Sequence, residues 1–147
     1  MFNSKQLGHG DESGFIFARE MLQGDVTAAI NFDRIQKHPT QGYIIFEYLL
    51  CEEGQNKTHH VTPYTSHPKR YWFKNKRKFI ALWGIAKNLK AKLYLVNYAK
   101  KGTLFENEIL LIEVKDMNDD GIIDEKLTRL TRNEFQQWFR RLNKECL

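Results

Sequence analysis

The chain is 147 residues long, with 41% apolar residues, 13% aromatic residues and a formal charge of +5. That length fits one domain around a single core, and that apolar share excludes a disordered chain. No apolar run reaches membrane-spanning length and residues 1–14 carry no apolar signal core, so a soluble cytoplasmic protein without a membrane partner is expected.

The charge is uneven. Residues 69–78 (KRYWFKNKRK) hold six Lys or Arg, whereas residues 116–125 (DMNDDGIIDE) hold five acids. A basic balance favours an anionic partner. Two widely spaced cysteines, Cys51 and Cys146, make neither a disulfide framework nor a zinc site, which fits a reducing compartment.

In chain order, residues 1–14 are polar and Gly-rich and read as a flexible arm. Residues 15–23 (FIFAREMLQ) predict a short helix ended by Gly24. Residues 26–35 predict a strand, and His38-Pro-Thr-Gln-Gly42 a turn. Residues 43–51 are almost continuously apolar, as in a central strand covered on both faces. A short strand near residues 60–64 is allowed by the pattern. Residues 69–90 give the longest helical rhythm, with Phe79, Leu82, Trp83, Ala86 and Leu89 on one face and Ser66 or Thr65 as cap. Residues 91–98 and 108–114 predict strands, and residues 131–143 a closing helix with Phe135, Trp138, Phe139 and Leu142 on one stripe. The expected architecture is a single mixed α/β domain, with a central sheet flanked by helices.

Two residues stand out against this pattern. Asp33 closes the first apolar run and Glu47 sits inside the second. A carboxylate within an apolar strand is costly unless exposed, paired or metal-bound. Two on adjacent strands make the start of a divalent-cation site.

With Glu20 on the preceding helix, Asp33 and Glu47 on successive strands, and a helix and strand following, residues 15–98 resemble the PD-(D/E)XK nucleases, the restriction-endonuclease-like fold. The resemblance implies a Mg²⁺- or Mn²⁺-dependent phosphodiesterase with Asp33, Glu47 and Glu20 as candidate ligands. It leaves residues 99–147 as an added C-terminal strand, acidic loop and helix. Leu49 stands where the family's motif has lysine. Some family members supply that lysine from the following helix, and Lys76 falls inside the apolar arc of residues 69–90, so Lys76 is the expected catalytic lysine. Lys69, Arg70, Lys74 and Arg77 are expected to hold a nucleic-acid backbone, DNA ahead of RNA.

Three rival patterns compete with this reading. Glu113-Val-Lys115 also fits (D/E)-X-K, but the neighbouring strand offers Asn97 and no acid. Asp116, Asn118 and Asp120, followed by Gly121, imitate a Ca²⁺ loop, yet Leu127 replaces the bidentate glutamate, which favours an Asx-rich turn. His59, His60 and His67 lack zinc spacing with any cysteine and read as surface-loop residues. Beside the nuclease reading stand two alternatives: a non-catalytic DNA- or protein-binding module of the same fold, and a calcium-stabilised interaction protein.

Overall fold

Residues 44–47 are buried without interruption because two layers cover the strand that carries them. The computed structural model describes residues 12–52 and 61–147. The described chain resolves into two units, one holding the first helix and the segment to Asn31, the other residues 32–146. In the first unit, α1 spans Ser13–Leu22 and buries none of its residues. It ends where Gln23 turns left-handed at φ 49° and Gly24 follows at φ 93°.

The second unit is a mixed α/β layer structure. Its strands are β1 (Arg34–His38), β2 (Gly42–Leu50), β3 (Lys92–Tyr98), β4 (Glu108–Asn118) and β5 (Gly121–Thr131). They form one sheet in sequential order, antiparallel throughout except for the parallel pair β2–β3. A parallel pair needs a crossover, which α2 (Trp72–Leu89) supplies after a 3₁₀ turn over Pro68–Tyr71. The closing helix, α3, spans Arg132–Glu145.

Strand alternation then sorts the core into two faces. Ile45, Leu93, Leu95, Leu110 and Ile112 pack against Trp72, Phe79, Leu82 and Ala86 of α2. Their neighbours Ile44, Phe46, Tyr94, Val96, Ile109 and Leu111 pack under α3, around Leu142, Phe135, Trp138 and Phe139. Full burial of a residue such as Phe79 or Leu82 contributes about 1.5–3 kcal/mol each.

Several expectations need correction. Residues 25–32 are irregular and β1 begins at Arg34, so the strand expected over residues 26–35 lies later. Neither Ser66 nor Thr65 caps the crossover helix: His67 caps the 3₁₀ turn ahead of it, its ring accepting from the Lys69 N–H, and α2 itself starts after Tyr71 without a side-chain cap. Residues 61–65 form turn and irregular chain rather than strand, and His59 and His60 lie outside the described residues.

The acidic stretch is not a loop. Asp116 and Asn118 lie on β4, and Asp119-Asp120 make a two-residue hairpin to β5, with Asn118 opposite Gly121. The Asn118 side chain accepts from the Asp120 N–H. Strand β5 escaped the pattern because its exposure hardly alternates, but Asp120-Gly121 between extended runs is itself a hairpin signal.

Candidate functional site

The site forms where β1 gives out and the edge of β2 opens. Arg34 pairs with Phe46, so continuing the antiparallel register by one residue sets Asp33 opposite Glu47, on one face of the sheet. Asp33 is held there by the Tyr48 amide, which donates to Asp33 Oδ2 at 2.8 Å. Glu47 lies on the same face as Ile45 and Leu49, under α2, and is 1% exposed.

Lys78 of α2 reaches down to this pair and its Nζ contacts Glu47 Oε1. The other carboxylate oxygen, Oε2, is buried without a hydrogen-bond partner among the described residues. Burial raises the proton affinity of Glu47 above the usual carboxylate value, Lys78 opposes it, and the nearby Asp33 carboxylate raises it again. The result is a pair of hard oxygen donors beside a lysine, with one buried oxygen unanswered.

The lysine at the carboxylates is thus Lys78 and not Lys76. At about 100° per residue the two lysines flank the buried stripe of α2 at about 40° on either side. Trp72, on the Lys76 flank, sends its indole N–H to the Asp119 carbonyl at the β4–β5 turn. The Lys78 flank therefore faces β2. Leu49, in the family's lysine position, is half-buried against the apolar core.

Other expected residues fall as follows. Glu20 is exposed on α1, within the first unit. Lys69, Arg70, Lys74 and Arg77 line the 3₁₀ turn and the first turns of α2, all four exposed, with Arg70 also donating to Ser66 Oγ at 3.1 Å. Phe73 stands among them 81% exposed. Glu113 belongs to the opposite face of the sheet from Glu47 and pairs with its own neighbour Lys115 at 2.7 Å. His67 is engaged by Glu125 at 2.7 Å.

A second buried polar group escapes the periodicity. Asn97 of β3 is buried on the α2 face, and its amide donates to the carbonyls of Pro63 (3.2 Å) and Ser66. It fastens the segment that leads into α2. A buried asparagine inside LYLVNY is a signal that could have been read, since such a group needs partners.

Could Asp33 and Glu47 hold a metal? Magnesium is commonly bound through one or two carboxylates, with water and substrate phosphate filling the remaining positions. Two carboxylates with a buried unpartnered oxygen fit that donor set. Among the described residues no group of three or more His, Cys, Asp or Glu converges, so an all-protein cage is not what those residues provide. Among the described residues, no helix is long and apolar enough to cross a membrane. Comparison with family models, curated proteins and solved structures gives no match to this chain.

Proposed function

We propose that the chain is a divalent-metal-dependent phosphodiesterase acting on nucleic acid in the cytoplasm. The observation that carries this reading is the convergence of Asp33, Glu47 and Lys78, with Glu47 Oε2 buried and unpartnered among the described residues. The order of elements, a strand led by Asp33, a strand bearing Glu47, a crossover helix and a further strand, adds the likeness to PD-(D/E)XK nucleases.

In this reading Asp33 and Glu47 hold Mg²⁺ or Mn²⁺. Such an ion, when bound, polarises the scissile phosphate and lowers the pKa of an attacking water. Lys78 supplies a fixed positive charge beside the carboxylates, where it can orient a water and offset charge gathering on phosphate oxygens. The Tyr48 amide keeps Asp33 aimed at the site. Lys69, Arg70, Lys74 and Arg77 neutralise flanking phosphates, each weakening the salt dependence of binding when removed.

The test is cleavage of plasmid and single-stranded DNA with Mg²⁺ or Mn²⁺, comparing the wild type with Asp33→Ala, Glu47→Ala and Lys78→Met. Cleavage lost in all three variants while nucleic-acid binding persists supports the reading. No cleavage by the wild type, with binding intact, makes the chain a non-catalytic binding module.

A further inference from the structure

On the other face of the sheet, between β2, β3, β4 and α3, lies an open groove of about 770 Å³. Its volume falls within the range of roughly 300–1,000 Å³ that suits a small ligand or part of a larger one. Tyr48, Tyr98 and Phe139 form part of its wall, and Lys101, Arg132 and Arg140 supply its charge. Among the described residues, no carboxylate lines it.

These groups are not equivalent. Phe139 already carries the Arg34 guanidinium 4.8 Å from its ring centroid and stacks on Phe135. Tyr48 and Tyr98 are half-buried, with part of each ring in the groove. Arg132 is fixed by the carbonyls of Ala99 (3.0 Å) and Glu106 (2.8 Å), which leaves its remaining N–H groups aimed by a rigid frame. Lys101 and Arg140 are exposed at the rim, and neither makes an ion pair among the described residues.

We propose that this groove binds an unpaired segment of nucleic acid, which makes the substrate of the proposed phosphodiesterase single-stranded or frayed rather than intact duplex. The inference rests on that functional reading for its link to catalysis, but binding can be measured without it. Charge complementarity selects a polyanion: three cations and, among the described residues, no acid face the groove. The tyrosines select among polyanions, because a base can stack on a ring only when its face is not covered by a paired helix. Continuity with the site supports the same occupant. Tyr48 follows Glu47 directly, and its amide is the group that holds Asp33, so one residue of β2 faces the groove while anchoring the carboxylate pair. The β1 ladder ends at Phe46, and the Tyr48 amide just beyond it is answered by the Asp33 carboxylate, so the groove and the carboxylate pair meet at this one residue.

The experiment titrates the full chain in EDTA with a labelled oligothymidylate of about 12 nucleotides, a length within the site sizes of single-strand binders. Parallel arms use a duplex of the same length and a Glu/Tyr-rich acidic peptide. The expected result is tighter binding of the single strand than of either competitor. Lys101→Glu combined with Arg140→Glu should weaken it at least tenfold and reduce the slope of log K against log salt by about 1.4, at roughly 0.7 for each phosphate left without its cation. Tyr98→Leu should weaken it about tenfold without altering that slope. The rim substitutions are exposed, so they test the groove even if Tyr98→Leu does not fold. Equal affinity for duplex, tighter binding of the peptide, or an unchanged slope in the rim variant overturns the inference. Groove-dependent binding without cleavage in Mg²⁺ or Mn²⁺ sinks the phosphodiesterase reading alone. Cleavage of duplex undisturbed by the rim variant sinks the groove inference alone.

Discussion

Replacing Lys78 by methionine keeps its apolar stem and removes the one cation that pairs with Glu47 among the described residues. The glutamate is 1% exposed, whereas the lysine side chain is 39% exposed. Breaking a fully buried ion pair by deleting one partner costs about 3–5 kcal/mol. Here the cation stands partly in water, so solvent screens the pair and only a fraction of that cost applies. We expect about 1–2 kcal/mol at pH 7, or a fall of about 5 °C in melting temperature for a domain of this class. The pH dependence follows from the groups around Glu47. Burial and Asp33 hold its pKa above 4.5 in the folded protein while Lys78 opposes them. A raised folded pKa gives a stability contribution that is complete below the unfolded value and is lost as pH rises through the folded one. Lys78→Met steepens that loss, so its penalty is full at neutral pH and fades toward pH 4.5, where the Glu47 carboxyl is becoming protonated in both proteins. Lys76→Met is the control, expected within about 0.5 kcal/mol of wild type because the half-buried Lys76 makes no ion pair among the described residues. Circular-dichroism melts from neutral pH down to pH 4.5 decide the matter. Equal penalties for the two lysines, or a Lys78→Met penalty that ignores pH, would refute this account.

Three further outcomes are expected. Phe79→Ala should cost about 3–5 kcal/mol in urea unfolding, since Phe79 is 1% exposed and stacks on Trp72 with centroids 5.4 Å apart. Thr131→Ala should cost about 1 kcal/mol, because the Thr131 hydroxyl accepts from the Glu134 amide in a reciprocal capping box at the start of α3; an unmoved denaturation midpoint contradicts it. Added Ca²⁺ should leave the melting temperature unchanged, since Asp116 and Asn118 belong to β4 and the Asn118 oxygen is engaged by the Asp120 amide. A Ca²⁺-dependent rise abolished by Asp120→Ala would restore the calcium alternative.

What local sequence pattern could decide, it decided well. The apolar run of β2 and the helical rhythm of α2 and α3 follow from periodicity, which reports which faces are buried whatever the partner. The suspicion that Asp33 and Glu47 belong together came from two acids in apolar surroundings, and the β1–β2 register sets them opposite each other. Exposure blurred the rest. Strand β5 is half in solvent along most of its length, so its alternation is faint, and a turn rich in Asp and Asn resembles a cation loop until its residues are seen to pair.

The choice of lysine lay beyond any one-dimensional pattern. The apolar arc of Trp72, Phe79, Trp83 and Ala86 favours Lys76, whereas the residues that are buried, Trp72, Phe79, Leu82 and Ala86, leave Lys76 and Lys78 symmetrically on opposite flanks. Only the sheet order breaks that symmetry, by placing the β4–β5 turn beside Trp72 and β2 beside the opposite flank. The sequence determines that a lysine borders the core on each side; the tertiary structure determines that Lys78 is the one that meets Glu47.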